Sequence, residues 1–378
     1  MARIRTLTLS ASPRIALFLA VWISLFIYAG RPLLIGAAAM NVAPWMAWSG
    51  LMLLAALPIL PMLFRGKPLT SWAGYATMAV FSLLLALVLV TDLARGAYAF
   101  ARWAFQAQQW PAVDPRPVAL AILGAAGVLS LIGLFQARCP RVVNVKVPID
   151  NLPEELDGYR IVQWSDVHVG PTIQRRFVQS LVDRTNTLNA DAMVITGDFA
   201  DSDFAEFGDH IEPLRDLRTR DGIYYVTGNH EYYWKPADWI AALERLGVTF
   251  LKNEHRVVRN GLVIAGVTDP VGRGTHKQDT KAAVAGAPRD AVKVLLSHRP
   301  QTAQEASTLG VDLQLSGHTH GGQFFPFNLV IRFFQPIVSG LHKVGSTWLY
   351  VNRGTGYWGP PSRLGVHGEI TVITLRQA

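Results

Sequence analysis

The sequence predicts a four-helix transmembrane region followed by an α/β domain, and three observations carry that expectation. Charge is partitioned: residues 1–138 hold 10 Lys and Arg against 2 Asp and Glu, while residues 139–378 hold 25 of each, so the net charge of +8 belongs to the first third of the chain. That third is filled by four runs free of Asp, Glu, Lys and Arg. From Tyr159 onward, short β-branched runs ending in polar clusters alternate with stretches of helical apolar spacing, as strands do with helices. The length of 378 residues suits two structural units at ~100–200 residues each. Only 16% of residues are charged, against ~25% in soluble domains. The basic excess sits beside apolar runs and not on the polar domain, so a lipid bilayer is the expected partner and nucleic acid is not. The single cysteine, Cys139, excludes an intrachain disulfide.

The apolar runs lie at about 15–30, 43–64, 69–90 and 117–137, within a transmembrane region 1–138. The last three exceed the ~20 residues that cross a bilayer as a helix. The first meets Arg31-Pro32, so it tilts little, lets Arg31 snorkel, or continues into Leu33–Met40. A cleaved signal peptide is the alternative for this run, with Arg3, Arg5 and Arg14 before it and Ala37-Ala38-Ala39 as a small-residue site; the later spans and Arg31 argue against it. Arg3, Arg5, Arg14, Arg65, Lys67, Arg138, Arg141 and Lys146 fall on one side, and Arg31, Arg95, Arg102 and Arg116 on the other. This bias puts the amino terminus and, after four spans, the second domain on the cytoplasmic face, as expected of a bacterial inner-membrane protein. A connector is expected at 139–158, and the polar domain at 159–378.

Within that domain, Arg160–Trp164 leads into Ser165-Asp166-Val167-His168, Ala192–Thr196 into Gly197-Asp198, and Ile223–Thr227 into Gly228-Asn229-His230-Glu231. Val292–Leu296 leads into Ser297-His298, and Val311–Leu315 into Ser316-Gly317-His318-Thr319-His320. Gln174–Asn189 and Pro236–Leu246 have helical spacing, and Pro236 suits a first turn. Ligands of α/β domains gather beyond the carboxyl ends of strands, so five clusters at five strand ends converge on one site.

Asp166-x-His168 and His318-x-His320 each put two donors on one side of an extended backbone. Asp198, Asn229 and His298 add a carboxylate, an amide oxygen and an imidazole. This mixed oxygen and nitrogen set suits two ions such as Mn, Fe or Zn. Taken singly, each motif is as well explained by a buried hydrogen-bonded His or a turn-capping Asp; the ordered set is not.

Carrying these motifs, residues 159–376 resemble the calcineurin-like metallophosphoesterases, and the upstream spans with Ser297-His298-Arg299-Pro300 and Gly317-His318-Thr319-His320-Gly321-Gly322-Gln323 resemble its membrane-associated branch. The resemblance implies two packed mixed β-sheets flanked by helices and two divalent metal ions, Mn, Fe, Zn or Mg. Asp166, His168, Asp198 and His320 would form one metal site and Asp198, Asn229, His298 and His318 the other, with Asp198 bridging. Metal-bound hydroxide would attack phosphorus, and His230 would donate a proton to the leaving oxygen or hydrogen-bond the phosphoryl group. Asp201, in Gly197-Asp198-Phe199-Ala200-Asp201, supports the ligands, and Glu231 holds His230 in place. Arg353 and Arg299 are candidate phosphate contacts through their planar forks. His367 departs from the branch's usual pattern before the last strand. Phe324–Val344 is apolar enough for a lipid-facing lip and punctuated enough by Pro and Gly for a core-packing hairpin. The expected activity is that of a phosphodiesterase or pyrophosphatase acting on a lipid-linked or nucleotide-containing phosphoester. A phosphodiesterase of soluble or cyclic nucleotides is the rival, and a non-catalytic membrane scaffold comes third.

Overall fold

The computed structural model describes residues 13–64, 66–259 and 261–378. Arg3, Arg5 and Arg65, used above for orientation, lie outside the described residues, as does the side chain of Arg14. The chain divides into two compact units: residues up to Leu60 with Thr77–Leu129, and Pro61–Ala76 with Ser130–Ala378.

Among the described residues, four helices, Ala16–Ala39, Pro44–Leu63, Pro68–Ala104 and Pro115–Arg138, are long and apolar enough to cross a membrane. Pro44, Pro68 and Pro115 each open a helix, where an N–H has no intrahelical partner to lose. The first helix runs through Arg31-Pro32 to Ala39. Arg31 is accommodated because it has a partner: Nη2 lies 2.5 Å from Asp92 Oδ2, and its guanidinium stacks 4.4 Å from the Tyr28 ring centre. The Tyr28 hydroxyl donates to the same carboxylate at 3.0 Å. The third helix overshoots its expected end at Val90 by continuing to Ala104. Its 37 residues measure about 55 Å, longer than the ~30 Å hydrocarbon core. Phe26 stacks on Phe81 at 3.8 Å, beside the buried Ala29, Leu84, Val88, Ile122 and Ala126.

Among its described residues the second unit has twelve strands: β1 (Arg141–Ile149), β2 (Arg160–Trp164), β3 (Ala192–Thr196), β4 (Ile223–Val226), β5 (Val248–Phe250), β6 (Glu254–Arg259), β7 (Leu262–Gly266), β8 (Val292–Leu296), β9 (Leu313–Ser316), β10 (Gly340–Val344), β11 (Thr347–Val351) and β12 (Glu369–Gln377). They form two six-stranded mixed sheets, ordered β1-β12-β2-β3-β4-β5 and β10-β11-β9-β8-β7-β6. Alternation along each strand decides what is buried where. Ile161, Val194 and Val226 of the first sheet join Ile264, Val294 and Leu315 of the second in the core between them. The opposite face of the first sheet, with Val162, Trp164, Ile195 and Tyr225, takes Phe177 and Leu181 of helix Arg175–Asn186 and Trp239 and Leu243 of helix Pro236–Arg245. This is the expected pair of packed mixed sheets with flanking helices.

One segment departs from expectation. Nearly half of the connector at 139–158 is strand: β1 pairs in parallel with β12 over its full length, from Arg141↔Glu369 to Ile149↔Gln377. Its Val-rich alternation suits an edge strand, where Pro148 can lack an N–H. The segment Phe324–Val344 divides between its two readings. Gly340–Val344 is β10, antiparallel to β11, and Ile337 packs on Ala303, Leu349 and Val351. Phe327, Leu329, Val330, Phe333 and Phe334 instead form short helical turns with exposed side chains.

Candidate metal centre

β2, β3 and β4 are parallel neighbours in one sheet, as are β8 and β9 in the other, so their carboxyl ends carry the polar clusters to one edge. The backbone there is tightly folded. Asp166, His168, Asp198, His318 and His320 have φ of 53°, 58°, 49°, 73° and 52°, a left-handed region that costs a non-glycine residue ~1–2 kcal/mol. Such strain persists where surroundings over-determine it, typically at functional sites. Gly317 is required by proximity, since a β-carbon would fall 1.8 Å from Ser165 Oγ and 2.2 Å from Asp166 Oδ2. Gly197, at φ 88°, would collide with His298 Nδ1 at 2.6 Å.

Six of the seven sequence-derived candidates meet in two groups, and the seventh, Asn229, precedes His230, whose N–H bonds Asp198 Oδ1. Donor atoms of Asp166, His168 and His320 lie within 4.8 Å of one another, and so do those of Asp198, His298 and His318. His168 Nε2 is 3.1 Å from His320 Nε2, which is 3.3 Å from Asp166 Oδ1. His298 Nε2 is 3.1 Å from Asp198 Oδ2 and 3.2 Å from His318 Nδ1. Asn229 Oδ1 and His168 Nδ1 are buried without a hydrogen-bond partner. Buried polar atoms are rarely left so, and here both belong to residues of the donor set.

Charge follows the same pattern. Burial, then the neighbouring His230, holds His168 well below the ordinary imidazole range; burial and His168 do the same to His320. Burial and His298 push His318 down to about 3. Burial pushes the Asp166 carboxyl up to about 6, against the pull of His298. For His298 burial is outweighed by the charge and hydrogen bond of Asp198, which raise it to about 10. The centre thus gathers three imidazoles held neutral, His168, His318 and His320, beside Asp166 and a His298–Asp198 pair. Such a donor set fits two divalent ions.

The flanking residues have distinct tasks. His230 Nδ1 lies 2.7 Å from Asp201 Oδ1, and Nε2 lies 4.0 Å from Asp198 Oδ2. Burial would lower this imidazole, but the Asp201 hydrogen bond and the Asp198 charge raise it to about 8. Asp201 also forms a third donor group with His168 and His230. Glu231 does not hold the His230 ring as expected: its buried carboxylate turns back to accept from the backbone N–H groups of Asp198 (3.1 Å), Ala200 (3.0 Å) and Gly228 (2.6 Å). Three converging amides offer it more than one imidazole could, and Asp201 orients the ring instead. Arg299 is engaged by Asp269 through both Nε (2.9 Å) and Nη2 (3.3 Å), so its fork is not open to phosphate. Arg353 bonds Glu369 at 3.3 Å and remains part-exposed.

Three residues near the centre escaped sequence reading. Arg363 is fully buried, donates to Gly356 O, His320 O and Arg353 O, and places Nη2 3.1 Å from His320 Nδ1. Tyr233 and Trp358, both largely exposed, flank the His230 ring at 5.0 and 5.6 Å. The aromatic run after His230 was a signal for Tyr233; nothing in Pro360-Pro361-Ser362-Arg363 announces a buried arginine.

Comparison with known proteins agrees with this geometry. Residues 159–322 match the family described as "Calcineurin-like phosphoesterase". A zebrafish "Transmembrane protein with metallophosphoesterase domain" is 38% identical over 278 residues, 70% of this chain and 63% of that protein. Its bovine namesake is 35% identical over 332 residues, 82% of this chain and 74% of that one. An "Uncharacterized metallophosphoesterase" of Aquifex aeolicus is 30% identical over 62% of this chain and 92% of its own length. With its two-sheet fold and the similarity extending over most of the bovine and Aquifex proteins, the chain belongs to the calcineurin-like phosphoesterase family.

Proposed function

We propose that the chain is a membrane-anchored phosphodiesterase or pyrophosphatase that works with two divalent metal ions on a lipid-linked phosphoester. The observation that carries this reading is the convergence of Asp166, His168 and His320 with Asp198, His298 and His318 at one sheet edge. Asp166, His168 and His320 would hold one ion, and His298, His318 and Asn229 the other, with Asp198 shared. When bound, the ion pair supplies Lewis acidity toward the phosphoryl oxygens and an activated water. Asp201 fixes the His230 imidazole through Nδ1, so that Nε2 is turned toward the donor cluster to give its proton to the leaving oxygen. Glu231 keeps the Asp198 loop in shape through three amide hydrogen bonds. Tyr233 and Trp358 shield His230 from water on its open side.

The lipid-linked character is supported by the exposed Phe327, Leu329, Phe333 and Phe334 following the last ligand cluster. The Trp358–Arg363 loop is also tied to the fourth apolar helix, where Arg363 N donates to Gly133 O at 3.0 Å. The Lys and Arg distribution supports a cytoplasmic placement of the domain. The test is hydrolysis of bis-p-nitrophenyl phosphate by detergent-purified full-length protein, stripped of metal and resupplied with Mn, Mg, Zn or Fe. Metal-dependent turnover that disappears in Asp198→Ala is expected. Two bound ions with no turnover of either this diester or a lipid-linked one would reject an enzymatic role.

A further inference from the structure

Beside the metal centre lies a polar cavity of about 680 Å³ whose lining includes one candidate phosphate contact, Arg353. Four elements bring basic groups to its wall: Arg141 at the start of β1, Arg332 in the turn after the cis Phe325-Pro326 bond, Arg353 after β11, and His367 before β12. Its carboxylate, Glu369, is buried and already accepts from Tyr350 Oη at 2.8 Å and from Arg353 N and Nη1 at 3.0 and 3.3 Å. Arg141 and Arg332 are exposed, and among the described residues neither guanidinium pairs with a carboxylate. The cavity reaches Gly321, next to His320, where the Arg353 side chain packs so closely that a β-carbon on Gly321 would fall 3.3 Å from Arg353 Cγ.

We propose that this cavity is an anion subsite, distinct from the metal centre, that binds the phosphate of an organic phosphate ester through Arg141, Arg332 and Arg353. Guanidinium forks match phosphate oxygens in geometry as well as charge. The volume falls among those of small-molecule sites and is far larger than a bare phosphate needs, which points to an ester carrying a substituent of headgroup size. Burial, followed by the charges of Arg141, Arg353 and Arg363, holds the His367 imidazole below its ordinary range, so the positive field in the cavity is already felt by a resident side chain. Leu329 lines the cavity and Phe333 and Phe334 are exposed on the turn that follows, so a membrane lipid headgroup is a candidate beside a free phosphate ester, the two sharing the required phosphate chemistry.

The experiment titrates glycerol 3-phosphate by calorimetry into full-length protein held in phosphatidylcholine nanodiscs. Binding is expected in the parent and to persist in Asp198→Ala, which disables the metal centre. Replacing two of the three guanidiniums, Arg141→Gln with Arg332→Gln, should weaken binding at least ~10-fold. Arg141→Lys with Arg332→Lys should recover part of that loss, while turnover of bis-p-nitrophenyl phosphate stays within about 2-fold in both variants, since neither residue reaches the metal ligands. Adding phosphatidylglycerol to the nanodiscs separates the sources: competition that disappears in the Gln variant assigns the subsite to the lipid headgroup, and its absence assigns it to the free ester. Binding lost in Asp198→Ala alone, or unchanged by the Gln pair, would overturn the proposal. A subsite that binds in a protein without turnover would leave it standing and reject only the enzymatic reading.

Discussion

Asp198, a member of one donor group, is the side chain that the proposed reading has both ions share. It contacts His298 directly, accepts from His230 N at 2.8 Å, and has its own N–H held by Glu231. Asp198→Ala is therefore expected to lose bound metal and fall to background hydrolysis. His230→Ala should instead lower kcat by ~10² with metal content near normal, because a positioned general acid is worth ~10²–10⁴ and His230 is not needed as a donor to either ion. Elemental analysis beside kinetics decides; equal metal loss in both variants would break the distinction. Asp201 can be tested without metal. Against burial, its hydrogen bond together with the Asp198 charge raises His230 from an ordinary 6.5 to about 8, so this group's stabilisation is fully present below pH 6.5 and is lost as pH rises through 8. In metal-free protein Asp201→Asn should remove part of it, at most about 2 kcal/mol near pH 6 and little at pH 9, read from urea unfolding at the two pH values. A penalty independent of pH would mean that Asp201 serves only packing.

At the scale of elements, β1 carries the sharpest prediction. It covers one side of β12 over nine register positions and places Arg141 against the cavity beside the metal centre. A chain beginning at Arg138 should fold as a soluble phosphoesterase domain, whereas one beginning at Asp150 should aggregate or melt at least ~10 °C lower, because it leaves β12 as an unpaired edge. Light scattering and thermal unfolding compare them, and equal stability would make β1 dispensable. The same element marks where sequence reading stops. β2, β3, β4, β8 and β9 were legible because each is a short apolar run ending in a polar cluster, and the cluster names its own carboxyl end. β1 was not, since its partner lies 228 positions away at Glu369 and an exposed edge shows only partial alternation. The donor set was legible for the same reason as the strands. Arg363 and the engagement of Arg299 with Asp269 were not, as both depend on what the fold brings near and not on local spacing.

For the whole molecule, the question is why a hydrolytic domain shares its chain with four apolar helices. Their described polar content is small: Arg31 and Asp92 neutralise one another, with Tyr28 on the same carboxylate, so the pair reads as a way of carrying charge inside the helical unit and not as a translocation path. If these helices anchor the chain, as we propose, the arrangement gains meaning when the substrate is held by the same bilayer. A water-soluble diester should then be turned over within about 3-fold of the same rate by the full-length protein and by the chain beginning at Arg138. A lipid-linked diester should depend on both the spans and the acyl chains. Each methylene withdrawn from water is worth ~0.8 kcal/mol, so shortening the acyl chains by a few carbons should lower kcat/KM of the full-length protein by at least an order of magnitude. Phe333→Ser with Phe334→Ser should reproduce part of that loss without touching turnover of the soluble diester, because both rings are exposed and neither meets a metal-ligating residue. A kcat/KM indifferent to acyl length, in full-length protein active on the soluble diester, would reduce the spans to a tether and favour a soluble nucleotide as substrate.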